Sequence, residues 1–271
     1  MGDLEFRPDL YQGAAQDYDR FRVPYPAALI EDLVRRTGAD GTGRLLDLAC
    51  GTGQITFALH GRFAEVWAVD QEPDMTATVQ AKARAAGITG IHALTSAAQE
   101  LTAPDESFDL VAVGNAFHRL PRVGVAASVL RWLKPGGHLA LLWGGDPWGR
   151  ERPWQRVLRV ACDRWLDWAG TRDRVPAGYA EDRRNRPDRV ILEEAGLQPI
   201  GRYEFAIAHE WTPGSLIGFL YSTSVFSRAA VGAQAGEFEA GLRRDMLSCE
   251  PSGALPQTMV FACELARRPV G

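Results

Sequence analysis

Residues 45–53, LLDLACGTG, decide how the chain is read. Leu45 to Leu48 form an apolar run interrupted by one acid, Asp47, as in a strand buried on both faces. Gly51 and Gly53 then let the backbone turn tightly and approach a ligand with no Cβ in the way. QITFALH, residues 54–60, follows as a helix whose N-terminus points at that turn. Strand, glycine turn and helix open a parallel α/β sheet, and such sheets bind ligands beyond the carboxyl ends of their strands.

The rhythm extends outward in both directions. PYPAALIEDLVRRTG (24–38) puts Leu29, Ile30, Leu33 and Val34 on one helix face, with Gly38 placed to stop it. EVWAVD (65–70) is a second strand ending in an acid, and PDMTATVQAKARAAG (73–87) a helix with a proline start and a glycine stop. IHALT (91–95) and FDLVAVGNAF (108–117) read as strands, VGVAASVLRWL (123–133) as a helix, KPGG (134–137) as a break and HLALLW (138–143) as a fifth strand. Apolar strands alternating with amphipathic helices imply a doubly wound parallel sheet covered on both faces. From Gly144 to Arg189 the rhythm fails, and a segment rich in Trp, Arg and Pro reads as a helical insertion. GRYEFAIAHEW (201–211) and QTMVFACELA (257–266) return to strand character, with helical TPGSLIGFLYSTS (212–224) and EFEAGLRRDML (237–247) between them.

Composition narrows the function. The chain has 271 residues, 46% of them apolar, enough for one large domain or a core with a cap. The net charge of −4 argues against a nucleic-acid partner. Cys50, Cys162, Cys249 and Cys263 form no C-x-x-C pair and no zinc-ligand pattern, so reduced thiols and no metal are expected. No signal pattern and no membrane span of roughly 18 residues is present, so the expectation is a cytoplasmic protein with no membrane partner.

The glycine turn admits two readings. In G-x-G-x-x-G of a dinucleotide site, Gly51 and Gly53 match but the third glycine is replaced by Thr56. In D-x-(Gly/Ala)-x-G-x-G, Asp47, Ala49, Gly51 and Gly53 all match. A carboxylate just before the turn is of no use to NAD, but it can orient an ammonium directly or through backbone amides and water. The second reading therefore suits a ligand with an amino-acid end.

LLDLACGTG resembles the first motif of class I S-adenosylmethionine-dependent methyltransferases. VWAVDQEPDM (66–75), AAQELTAPDESFDLV (97–111), GNAFHRL (114–120) and LKPGGHLALLW (133–143) continue the resemblance in the family's order. YQGAAQDYDRFRVPYP (11–26) is similar to the N-terminal segment of the small-molecule branch that includes trans-aconitate-type, or type 11, methyltransferases. The resemblance implies a Rossmann-like doubly wound sheet of seven strands, mostly parallel with an antiparallel last strand, plus a helical substrate cap. It implies an N-terminal helical segment (1–40), a cofactor-binding core (41–145), a cap (146–199) and the last strands with their helices (200–271).

By the same resemblance, S-adenosylmethionine is the cofactor and S-adenosylhomocysteine the product. Gly51, Gly53, Asp47 and Ala49 would face the methionine part. Asp70 would accept both ribose hydroxyls, beside Gln71, and Met75 would pack on the adenine or simply fill the helix core. Where the family often has an acid near the adenine amino group, this chain has Ala97 flanked by Ser96, Ala98 and Gln99, and Gln99 is the chosen acceptor. Gly114 and Asn115 would sit beside the methionyl portion, and Tyr18 and Arg22 would close over the cofactor. An ion pair of Arg22 with Asp19 or Glu31 is the competing reading.

The expected activity is methyl transfer to an oxygen or nitrogen of a small molecule, in specialised metabolism, by a monomer or homodimer. His118, just past the fourth strand, is the candidate general base, against the alternative of a loop-orienting histidine. Trp143, Trp148, Trp154, Trp165, Trp168, Tyr179, Trp211 and Tyr221 would form either an aromatic substrate wall or ordinary core. EDRRNRPDR (181–189) is either a solvated helix start or an anion site. A non-methylating reaction on the same cofactor fold, and an NAD-dependent oxidoreductase, are the alternatives.

Overall fold

The computed structural model describes residues 6–149 and 151–270. Helices α1 (Ala15–Phe21) and α2 (Ala27–Thr37) precede an alternating series. It runs β1 (Arg44–Leu48), α3 (Gln54–Leu59), β2 (Glu65–Asp70), α4 (Pro73–Ala85), β3 (Ile91–Thr95), β4 (Phe108–Gly114), α5 (Arg122–Trp132) and β5 (Leu133–Trp143). Three helices follow, α6 (Pro153–Ala169), α7 (Tyr179–Asn185) and α8 (Asp188–Glu194), then β6 (Gln198–Trp211). The chain ends with α9 (Pro213–Tyr221), α10 (Arg228–Val231), α11 (Ala235–Cys249) and β7 (Leu255–Arg267). Among the described residues no helix is long and apolar enough to cross a membrane.

The seven strands form one sheet in the order β3-β2-β1-β4-β5-β7-β6. The pairings among β1 to β5 are parallel, and β7 runs antiparallel to both β5 and β6. Strand alternation gives the sheet two apolar faces. Leu45, Leu110 and Ala112 point to one side, where they meet Leu29 and Leu33 of α2 and Ile55 and Leu59 of α3. Leu46, Val111 and Val113 point to the other, against Val125 and Val129 of α5 and Ile191 and Leu192 of α8. Strand order reverses between β1 and β4, and a crevice opens there beyond the strand ends. Helix α2 stops where expected, at Gly38, whose φ of 68° is left-handed.

Two local features depart from the sequence reading. KPGG does not end a helix and begin a strand; it lies inside β5. Phe108 pairs with Leu133 and Leu110 with His138, so Lys134 to Gly137 bulge out of the ladder. Lys134 ties the bulge to Asp109 at 2.8 Å, and Gly136 and Gly137 bond to the backbone of Arg268. The segment after β5 also divides: α6 packs with α11, and α8 packs on α5 across the sheet. The aromatic residues fill these contacts. Trp154, Trp211 and Tyr221 are fully buried, and Trp165 packs on Phe238 with ring centroids 5.4 Å apart.

The charge run 181–189 is structural. Buried Arg122 of α5 bonds Asp188 at 2.8 Å and Asp182 at 2.5 Å, and Arg183 also bonds Asp188. Arg122→Met should destabilise the protein by about 3 kcal/mol, because it leaves buried Asp188 with a weaker partner set. Urea denaturation checks this; an unchanged midpoint would show that α7 and α8 are held by apolar packing alone.

Candidate active site

The turn after β1 is held by two carboxylates. Asp47, buried in β1, accepts the Thr56 amide at 2.9 Å and the Thr56 hydroxyl at 2.6 Å through one oxygen. These bonds tie the first turn of α3 to the strand it follows. Asp70, at the end of β2, accepts the Gly51 amide at 2.8 Å and the Glu72 amide at 3.0 Å. The turn between them is conformationally demanding: Gly51 has φ 54° and Gly53 φ 87°, and Ala49 is held at φ 57° despite its Cβ. A Cβ on Gly51 would lie 3.1 Å from the Tyr18 ring, so glycine lets that ring close on the turn.

The end of β4 is the opposite wall. Asn115 also has a left-handed φ, 51°. Its side chain donates to Gly144 O at 2.9 Å and accepts from Gly144 N at 3.1 Å, which locks the β4 end to the β5 end. Between these walls lies a cavity of about 630 Å³. The N-terminal segment covers it with Phe6, Arg7, Pro8, Leu10 and Tyr11. Gln71 donates to Pro8 O at 3.3 Å, and Arg174 donates to Asp9 O at 3.1 Å, so the segment is tied down on two sides.

A narrow recess adjoins the cavity and shares Tyr18, Ala49, Gly114 and Asn115 with it. Asp47 and Arg22 line this recess. Arg22 makes no ion pair with Asp19 or Glu31. Its guanidinium lies 4.6 Å from the Tyr18 ring and 4.8 Å from the Phe219 ring, and donates to Ser222 O at 2.8 Å. Asp19 instead pairs with Lys82 at 2.5 Å.

Among the described residues, six buried side-chain polar atoms have no hydrogen-bond partner. Four of them, Arg22 Nε, Asp47 Oδ1, Glu72 Oε1 and Arg119 Nε, belong to residues that line the cavity or the recess. Burial without compensation is costly, so this concentration marks a place built for a polar ligand. Burial pushes the Asp47 carboxyl up to about 7 against the opposing Thr56 bonds, and raises Asp70 and Glu72 above the usual carboxylate range.

Most of the expected site residues converge. Tyr18, Ala49, Gly51, Asp70, Gln71, Met75, Ala98, Gln99, Gly114 and Asn115 line the cavity, and Asp47 and Arg22 the recess. Met75 also packs on Ala14 and Ala15, so it is core and wall at once. Gly53 lines neither; a Cβ there would meet Phe57 at 2.8 Å, so its role is to let the turn pack. His118 follows β4, but its ring packs against Trp143 and Tyr179, and it is not among the cavity-lining groups. Burial, then Arg119, Arg183 and Arg122, hold its pKa well below the ordinary histidine value, which weakens it as a base. Of the expected aromatic wall, none lines the cavity. Sequence reasoning missed Glu72, Arg119 and the N-terminal cover. Tyr25 was missed as well; its hydroxyl accepts from Asn115 at 3.4 Å.

Comparison with known proteins places this architecture. A model of a methyltransferase domain matches residues 45–137. An uncharacterized methyltransferase of Mycobacterium bovis is 34% identical over 214 residues, 79% of this chain and 76% of its own length. The ubiquinone/menaquinone biosynthesis C-methyltransferase UbiE of Paraburkholderia xenovorans is 29% identical over 60% of this chain and 70% of its own. Among solved structures, a protein of Anaeromyxobacter dehalogenans provisionally classed as a type II methyltransferase superposes with a TM-score of 0.62 at 20% identity, covering 92% of this chain and 98% of its own. The [4+2]-cyclase SpnF has the same fold, with a TM-score of 0.52 at 22% identity over 90% of this chain and 82% of its own. Fold and site define a Rossmann-like class I architecture. The chain belongs to the S-adenosylmethionine-dependent methyltransferases.

The buried Asp47 makes stability depend on pH. In the folded protein it keeps its proton to about pH 7, whereas unfolded it loses it near 3.8, the ordinary value of an aspartate. Its contribution is full below that lower value and declines as pH rises to about 7, by at most about 4 kcal/mol. Asp47→Asn should remove this dependence. Urea unfolding at pH 4.5 and pH 8 should show wild type losing stability relative to the variant; parallel behaviour at both pH values would mean Asp47 is ionised throughout.

Proposed function

We propose that this chain methylates an oxygen or nitrogen of a small organic molecule of specialised metabolism, with the cofactor seated across the β1–α3 and β2–α4 turns. The observation that supports the seat is the set of unpartnered polar atoms around the cavity and its adjoining recess. In this reading Asp70 takes the ribose hydroxyls, the role for which its two backbone bonds already orient it. Met75, Gln71, Ala98 and Gln99 flank the base. The free Oδ1 of Asp47 meets the ammonium of the amino-acid end and Nε of Arg22 its carboxylate. Gly114 and Asn115 border the methionyl chain. Residues 41–145 are then the cofactor core, and residues 6–11 with the segment after β4 enclose the acceptor.

When bound, S-adenosylmethionine supplies an activated methyl group on a sulfonium leaving group. The protein's share is to align the acceptor and exclude water. The cover of Phe6, Leu10 and Tyr11 serves the second task. With His118 turned out of the cavity, the wall after β4 consists of Ala116, Arg119, Leu120 and Pro121. None of these removes a proton at neutral pH. That wall favours an acceptor that attacks without deprotonation, such as a neutral amine or an oxygen already ionised.

The NAD reading loses support at Thr56. Where a dinucleotide turn would have its third glycine, this residue is fully buried, with amide and hydroxyl both engaged by Asp47.

Isothermal titration should show S-adenosylhomocysteine binding and NAD not binding. Asp70→Ala should weaken S-adenosylhomocysteine by about 2–3 kcal/mol, roughly 30- to 150-fold, since two charge-assisted bonds are lost. NAD binding without S-adenosylhomocysteine binding, or unchanged affinity in a folded Asp70→Ala variant, would reject the reading.

A further inference from the structure

Arg119 stands out among the cations near the cavity. Three arginines surround His118: Arg119, Arg122 and Arg183. Arg122 and Arg183 are engaged by Asp182 and Asp188. Arg7 lines the cavity too, but its Nε–Nη2 edge is spent on Asp9, at 3.1 and 2.9 Å. Among the described residues no carboxylate pairs with Arg119. Its only side-chain hydrogen bond there is from Nη1 to Ser224 Oγ, at 3.0 Å.

The geometry of that single bond matters. A guanidinium offers a planar fork, and its Nε–Nη2 edge matches the two oxygens of a carboxylate. Ser224 holds Arg119 by the opposite nitrogen, Nη1. Nε is buried and has no partner. The guanidinium carbon lies 5.7 Å from the Phe6 ring and 5.5 Å from the Tyr11 ring, so aromatic faces flank it and limit its motion. A cation thus sits at a cavity wall, clamped on one side, with the side suited to a carboxylate unspent.

Position separates this group from the cofactor seat. Asp70 ends β2 and Arg119 follows β4, with β1 between them in the sheet. Two strand spacings put the strand ends about 10 Å apart. The acids lie at the β2 end of the cavity, and Arg119 lies beyond the β4 end, on the acceptor side.

We propose that Arg119 anchors a carboxylate of the acceptor through its Nε–Nη2 edge, so that the substrates of this enzyme are organic acids with an apolar body. The proposal rests on the methyltransferase reading of the cavity and names its substrate class. Leu10, Leu120 and the rings of Phe6 and Tyr11 supply the apolar surroundings for the rest of the molecule. Arg22 remains with the cofactor.

The test uses the full chain loaded with S-adenosylhomocysteine, titrated calorimetrically with benzoate, phenylacetate and cinnamate and with their neutral amides. At least one acid should bind about tenfold or more tightly than its amide, the difference expected from one charge-assisted fork. Arg119→Gln should abolish the preference, and Arg119→Lys should restore part of it, with S-adenosylhomocysteine affinity changed less than about threefold in both. Equal binding of acid and amide, no binding of any of the three acids, or a preference surviving in Arg119→Gln would overturn the proposal. A fall in S-adenosylhomocysteine affinity with acid preference intact would overturn it too, by assigning Arg119 to the cofactor. Failure of S-adenosylhomocysteine to bind wild type would instead strike the cofactor reading, and the acids titrated against the unloaded protein would then decide the anchor alone.

Discussion

Asp47 and Asp70 grip the β1–α3 turn from its two ends. Asp47 fixes the start of α3 through Thr56, and Asp70 fixes the Gly51 amide from the neighbouring strand. Asp47 is buried with one oxygen unpartnered, Asp70 is half-buried with both oxygens engaged, and burial raises the pKa of each. The turn between them carries a left-handed alanine and two left-handed glycines, a conformation that persists only where its surroundings impose it. Everything that faces the cavity, from the Tyr18 ring to the Asn115 lock, is placed relative to this turn.

The rest of the chain shapes and encloses the cavity. Helices α6, α9 and α11 form a large apolar body beside the sheet but contribute no cavity wall. Their indirect part is to position the loop after α9, which supplies Ser222 to Arg22 and Ser224 to Arg119. The N-terminal segment completes the enclosure, tethered through Gln71 and Arg174. A cavity with carboxylates at the β2 end and a guanidinium past β4 is polarised across the sheet edge, which suits a cationic donor beside an anionic acceptor.

Much of this was legible in the sequence because it rests on local pattern. Apolar strands of five to seven residues between amphipathic helices announce the parallel core, and Asp47 stands out as an acid inside such a strand. The acid at the end of β2 was legible for the same reason. Side-chain direction in irregular segments was not. His118 lies in one turn of 3-10 helix after β4, where a single residue decides between facing the cavity and facing Trp143. Arg119, its neighbour, took the inward place. The roles of Phe6, Tyr11 and Glu72 depend on the N-terminal segment folding back over β2, a long-range contact with no periodic signature. The tryptophans read equally well as wall or core; packing between helices far apart in sequence puts Trp154, Trp165 and Trp211 in the core and leaves Trp148 and Trp168 exposed.

If the two carboxylates frame a seat for an adenosyl amino acid, a crystal structure with S-adenosylhomocysteine will show ribose hydroxyls on Asp70, the base against Met75, and the amino-acid end in the recess of Asp47 and Arg22. A nucleoside bound elsewhere, or one in this cavity with its ribose turned away from Asp70, would contradict that seat.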